Sequence, residues 1–315
     1  MTEQTAGPSA PQPGQAAAYR DFVMPPPVDR HSQEWLDTPQ EQRTVAVPRA
    51  SATVMLLREP DAGARTGGAP EVFVLRRVSG MPFAPGMIAF PGGGVDPRDA
   101  DPALPWAGPS PQEWAERLAT DEATARELVC AAARELFEEC GVLIAGPDPG
   151  ELVEDVSGPG WGQERESLLD RSQGFAELLT RRGLVLRTDL LSLRAHWTTP
   201  VCEPRRYDTR FFAARMPRGQ VADDQTSEAE TVRWDDPRTL LAAQAAGEEI
   251  MLPPTQVMIE QLAQVRDVDA WLAEEAPVHR VQPWPAERDG MLWMRSPVGP
   301  DGHGQPGSLA PDGLG

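Results

Sequence analysis

Glu135, Glu138 and Glu139 lie within five consecutive positions of the run Arg134-Glu135-Leu136-Phe137-Glu138-Glu139-Cys140-Gly141-Val142. On an α-helix, residues three and four apart share a face, so these carboxylates project toward roughly one region beside Arg134. Like charges at that spacing destabilise an isolated helix by roughly 0.2–0.5 kcal/mol per pair. A divalent cation would offset that cost, because hard ions such as Mg²⁺ take carboxylate, phosphate and water oxygens. A solvated acidic helix face accounts for the same residues without any ligand. Taken alone, the run leaves both readings standing.

A second segment bears on the choice. Phe90-Pro91-Gly92-Gly93-Gly94-Val95-Asp96 follows the apolar residues Met87, Ile88 and Ala89. Glycines permit close backbone approach, so such a turn can aim a carbonyl at a metal or an N–H at a phosphate. Together the two segments resemble the Nudix hydrolase family. Its box reads Gly, five residues, Glu, seven residues, then Arg-Glu-apolar-any-Glu-Glu-any-Gly-apolar. Arg134 through Val142 match every specified position of the second half. The first half departs: forty residues separate Gly93 from Arg134 where the pattern has thirteen, and Arg126 stands where a Glu is usual, beside Glu127. The stretch from about Asp99 to Thr120, interrupted by Pro102, Pro105, Pro109 and Pro111, reads as an insertion inside the box. Helical periodicity resumes at Asp121, a capping residue, with Leu128, Ala132 and Leu136 on one stripe.

An interrupted box is similar to that of the peroxisomal-type coenzyme A diphosphatase branch. Val74-Leu75-Arg76-Arg77, His196-Trp197-Thr198-Thr199-Pro200 and Arg205 through Phe212 agree, and the likeness runs from about Ala50 to Leu262. It implies an α/β fold, the Nudix α/β/α sandwich with a mixed sheet, and attack of water on a diphosphate to cleave its P–O–P bridge. By resemblance, Glu138 and Glu139 are the preferred ligands of Mg²⁺ or Mn²⁺. Glu135 is a ligand or the acceptor of the water's proton, and Gly93 or its neighbour Gly92 offers a carbonyl. Arg134 is expected to orient a carboxylate through a forked salt bridge. Glu228 or Glu230 is an additional acid or part of a solvated loop. The 3′-phosphate and diphosphate of coenzyme A favour arginine clamps, for which Arg76, Arg77, Arg205 and Arg206 are the clusters, unless alternate members face solvent. His196, a lone histidine beside Trp197, is expected to be structural. Coenzyme A or acyl-coenzyme A is the first expected substrate. An ADP-ribose- or NADH-type pyrophosphatase and a non-catalytic nucleotide sensor are the alternatives. A sensor would show eroded box carboxylates, and an isopentenyl diphosphate isomerase would want a catalytic cysteine and a differently spaced acid set.

Composition sets the frame for this chemistry. The chain has 315 residues, 40% of them hydrophobic, with 34 prolines and 28 glycines, so a sizeable core must coexist with much irregular backbone. A net charge of −19 argues against a nucleic-acid partner and against simple attraction of a polyanion. A small-molecule diphosphate would therefore need local help from metal and arginine. Cys130, Cys140 and Cys202 lack metal-type spacing. The first two would lie about 15 Å apart along one helix, too far for a disulfide. Reduced thiols and a cytoplasmic location follow as the expectation. No apolar stretch suggests a membrane span.

Residues 1–44 are expected to be largely disordered, 45–270 to form the hydrolase domain, and 271–315 to be a C-terminal extension that is flexible after about Ser296. Strands are predicted at Ala50–Leu57, Glu71–Arg76, Leu193–Trp197, Arg206–Ala214 and Thr231–Trp234, with a loop over Asp61–Pro70. Helices are predicted over Gln163–Arg182, Pro237–Ala246 and Thr255–Val265. A homodimer stays open, since this fold often pairs.

Overall fold

The computed structural model describes residues 19–25, 28–60, 69–81, 83–225 and 229–305. Strand β1 (Arg20–Val23) and helix α1 (Val28–Asp37) precede two longer strands, β2 (Arg49–Arg58) and β3 (Glu71–Arg77). Along β2, Ala52, Val54 and Leu56 enter one apolar cluster while Met55 and Leu57 enter another. A strand buried on both faces must sit inside a sheet covered on both sides. The short strands β4 (Ile88–Ala89), β5 (Gly92–Gly94) and β6 (Trp106–Ala107) follow, then α2 (Pro111–Leu118) and α3 (Glu122–Cys140). Next come β7 (Ala145–Gly146), α4 (Pro159–Leu169), α5 (Phe175–Arg182), β8 (Val185–Arg187), β9 (Ser192–Thr198), β10 (Tyr207–Arg215) and β11 (Ala229–Asp235). Helices α6 (Pro237–Ala245), α7 (Pro253–Leu262) and α8 (Val268–Ala273) lead to β12 (Arg280–Val281) and a hairpin, β13 (Trp284–Arg288) and β14 (Met291–Ser296).

The central sheet runs β11-β3-β2-β10-β9-β12, with β4 on β3 and β5 on β2. It is mixed: β10 lies parallel to β2, while β2–β3, β3–β11 and β9–β10 are antiparallel. On one face, α3 packs Leu128, Leu136 and Phe137 against Val54 and Phe212, joined by Trp114 of α2 and Phe175 of α5. On the other, α6 and α7 bring Leu240, Val257, Ile259 and Leu262 against Met55 and Phe211. This is the α/β/α sandwich expected. Among the described residues, no helix is long and apolar enough to cross a membrane.

The structure departs from the sequence reading in three places. The single helix expected over Gln163–Arg182 is two. Asp170 accepts the amide of Ser172, and Arg171 takes φ +61°, so a local side-chain turn wins over helix propagation. Part of the segment expected to be disordered is regular structure, since β1 pairs with β14, and Phe22, Met24 and Trp35 are buried in the second cluster. Residues 1–18 lie outside the described residues, as do 61–68 of the expected loop. Beyond Ser296, Val298 is fully buried and bridges to Gly304. The stretch read as an insertion holds α2, whose first turn is closed reciprocally by Ser110 and Glu113.

Candidate active site

The last turn of α3 delivers the acidic residues to the glycine strand. Asp121 begins the helix by accepting the amide of Thr124 at 3.0 Å. Gly141 ends it at φ +66°, a conformation that glycine adopts without a Cβ penalty. Arg165 reinforces this end, donating its Nε to the Glu138 carbonyl at 2.8 Å and an Nη to Asp223 at 2.6 Å. Fully buried Ala131, Ala132 and Ala133 keep the helix close to the sheet. β5 pairs with β2, setting Gly92 opposite Thr53 and Gly93 opposite Ala52.

Glycine is required here by space. A Cβ on Gly93 would lie 2.5 Å from Oε1 of Glu135, and one on Gly92 would lie 2.5 Å from the Ala52 carbonyl oxygen. The Gly92 amide donates to Oε2 of Glu139 at 2.8 Å. Arg134 links the rest. Its Nη1 donates to Glu135 at 2.8 Å and to Glu138 at 2.9 Å, its Nη2 to the Gly94 carbonyl at 2.9 Å, and its Nε and Nη2 to Asp99 at 3.1 Å each. Burial presses the Arg134 pKa down, but the charges of Glu135, Asp99 and Glu138 outweigh it and hold the guanidinium firmly protonated.

Asp99, Glu135, Glu138 and Glu139 are all buried around this one arginine. Half-buried Glu127 has a raised pKa, from burial first and then from the nearby charges of Asp99 and Asp121. Among the described residues, no three His, Cys, Asp or Glu side chains converge at metal-ligand spacing. Arg134 bridges Glu135 and Glu138 instead. In chemistry and charge the residues still fit a hard divalent ion. Every donor is oxygen, and four buried carboxylates exceed the single guanidinium.

The glycine strand also lines a cavity of about 360 Å³, shared with Ser51 and Thr53 of β2 and Thr209 and Phe211 of β10. Its volume is in the range of small-molecule sites.

Comparison with known proteins agrees with this architecture. A solved structure of a Nudix hydrolase from Alicyclobacillus acidocaldarius superposes with a TM-score of 0.63 at 27% identity, covering 74% of this chain and 99% of that one. The chain has the fold of the Nudix hydrolases. "Putative nudix hydrolase 7" of Caenorhabditis elegans is 26% identical over 198 residues, which are 63% of this chain and 57% of that relative's length. The match thus spans little more than half of the curated relative. No family model matches the chain.

Within this Nudix fold, the structure brings Arg134, Glu135, Glu138, Glu139 and Gly93 close together. The four arginines separate. Arg77 lines the cavity. Arg76 pairs with Glu249 at 2.5 Å. Arg205 is exposed, whereas Arg206 is buried and donates to the carbonyls of Thr199 and Ala46, each at 2.9 Å. Glu230 is exposed and accepts the Ser79 hydroxyl and, at 3.0 Å, the Ser79 amide; the hydroxyl bond first and then the amide lower its pKa and tie β11 to the segment after β3. Glu228 lies outside the described residues. His196 is half-buried, 2.8 Å from Asp208 and in contact with Arg210 within the sheet.

Sequence reasoning missed Asp99. Its signal is Asp96-Pro97-Arg98-Asp99, a reciprocal cap in which Asp99 accepts the Asp96 amide at 2.8 Å. Its second partner, Arg134, is 35 residues away and leaves no local trace.

Proposed function

We propose that this chain hydrolyses the diphosphate linkage of a nucleoside diphosphate derivative with Mg²⁺ or Mn²⁺ as cofactor, coenzyme A or acyl-coenzyme A being the first substrate to test. The observation that carries the reading is the mesh of Arg134, Gly92 and Gly94, which fixes three box glutamates against a glycine strand that floors a cavity. Glu135, Glu138 and Glu139, with the Gly93 carbonyl, would hold the ion. When bound, it neutralises charge on the diphosphate and makes water a better nucleophile.

The remaining work belongs to the chain's own groups. Arg134 holds Glu135 and Glu138 in place through the fork of its guanidinium. The Gly92 amide fixes Glu139. Glu135, in contact with the glycine strand, either joins in holding the ion or accepts the proton that water loses. Arg77, at the cavity wall, supplies positive charge to a phosphate.

The test is a panel of coenzyme A, acyl-coenzyme A, ADP-ribose and NADH, with Mg²⁺ or Mn²⁺ and identification of products. Wild type should cleave at least one between its phosphorus atoms, and Glu138→Gln should lower kcat by about 100-fold or more while the protein stays folded. A wild type that binds a nucleotide tightly but cleaves nothing would replace this reading with the sensor.

A further inference from the structure

One wall of the cavity comes from outside the hydrolase box. Glu203, in the turn between β9 and β10, lines it, and the side chain is only 8% exposed. Its Oε2 lies 3.0 Å from Nδ1 of His31, contributed by α1 across 172 residues of chain. Its Oε1 has no hydrogen-bond partner among the described residues. A buried carboxylate oxygen left unpaired is costly, more so than for a neutral group, and is normally satisfied by a donor. Burial raises the Glu203 pKa, against the opposing effect of His31, as expected for an acid short of donors.

The rest of the cavity says what kind of donor fits. Phe83 and Tyr207 meet edge to face with centroids 5.4 Å apart, and Phe90 and Trp197 add further rings to the lining. Aromatic and apolar walls suit the faces of a flat ring, while a single acid suits a polar N–H on that ring's edge. An alkyl chain would leave the acid unpaired, and a phosphate would be repelled by it. Gly92, Gly93 and Gly94 form another part of the same lining, so a base held at Glu203 shares one cavity with the box backbone.

We propose that Glu203, positioned by His31, accepts a hydrogen bond from the exocyclic amino group of a purine base, making it the specificity-determining residue for the nucleoside half of the substrate. This rests on the hydrolase reading for its biological meaning, but base binding can be measured without turnover. The probes are AMP and IMP, which differ by an amino group against a carbonyl on the six-membered ring. Calorimetry with the full chain should show AMP binding about tenfold more tightly than IMP, the worth of one hydrogen bond to a charged group. Glu203→Gln, whose amide can donate to the IMP carbonyl, should abolish or reverse that ratio. His31→Ala should shrink it several-fold, and serves as the second variant if Glu203→Gln fails to fold. Equal affinities in wild type, no binding of either nucleotide, or an unchanged ratio in folded variants would overturn the assignment. An inert protein that still prefers AMP would instead sink the hydrolase reading alone.

Discussion

Replacing Gly93 with alanine separates the geometry of the acid cluster from the stability of the fold. The added Cβ would lie 2.5 Å from Oε1, 2.8 Å from Cδ and 2.9 Å from Oε2 of Glu135. Ordinary contact begins near 3.4 Å, so the carboxylate must retreat by about 1 Å. It can do so, because the clashing atoms are the far end of a side chain. The retreat breaks or lengthens the 2.8 Å bond from Arg134. Overpacking of this kind costs about 1–3 kcal/mol of stability, which a folded domain tolerates. A misplacement of about 1 Å in a reacting group costs about 100-fold in rate, or roughly 2.7 kcal/mol of barrier. We predict that Gly93→Ala keeps a cooperative urea transition within about 3 kcal/mol of wild type while kcat falls by about 100-fold. Initial rates at saturating Mg²⁺ or Mn²⁺, measured beside urea midpoints, give both numbers. A variant with kcat within about threefold of wild type would refute the claim that Glu135 works from its place against Gly93.

Arg134→Met removes the donors to Asp99, Glu135 and Glu138 and leaves buried carboxylates uncompensated, so it should cost about 3–5 kcal/mol in urea unfolding; a loss below about 1 kcal/mol would contradict the assigned role. Burial pushes the Glu164 carboxyl up, but bonds from Arg181, Gln173 and Arg182 outweigh this and hold it at about 2. A depressed folded pKa means the stabilisation is complete above the unfolded value of about 4.5 and is lost as pH falls from there through about 2, a swing of about 3 kcal/mol. Glu164→Gln should flatten that limb of the stability curve, and an unchanged acid limb would count against the network. Burial raises the thiol pKa of Cys130 and Cys140 well above the usual range and that of Cys202 to about 11. A maleimide at pH 7.5 should therefore leave native protein unlabelled and modify all three thiols after unfolding; rapid native labelling would show that the helix interior opens.

What the sequence revealed and what it hid divide along sequence distance. The nine residues from Arg134 to Val142 carry spacing, charge and a terminating glycine together, so the end of α3 could be read directly, as could its Asp121 cap. The strands β2, β3, β9, β10 and β11 were legible because apolar and β-branched runs stop at turn residues. Partnerships across the fold left no comparable mark. Nothing local to Arg76 or Arg206 tells that one meets Glu249 and the other meets backbone carbonyls, so both looked as available to a substrate as Arg77. Asp99 looked like part of a proline-broken insertion, yet it is almost fully buried on Arg134. The N-terminal segment misled through composition. Its few large apolar residues, Phe22, Met24 and Trp35, are enough to dock it because the second face of the sheet offers a site.

That docking bears on how an acidic chain would accommodate the anionic substrate proposed for it. With a net charge of −19, the protein attracts no polyanion at long range. Near the site, Arg134 directs its donors to Asp99, Glu135, Glu138 and the Gly94 carbonyl, and Arg76 and Arg206 are engaged elsewhere. Of the four arginines singled out by sequence, Arg77 is the one on the cavity wall. Under the proposed hydrolase reading, attraction for a diphosphate would come chiefly from a divalent ion at the glutamates, and the rest of the affinity from apolar enclosure of the non-phosphate half. The terminal segments supply part of that enclosure, since Met24, Val28 and Met294 line the same cavity as Gly93. On the proposed reading the β1–β14 pairing would be part of the binding site, because it carries Met24 and Met294 to a cavity wall that the acidic helix and glycine strand alone would leave open.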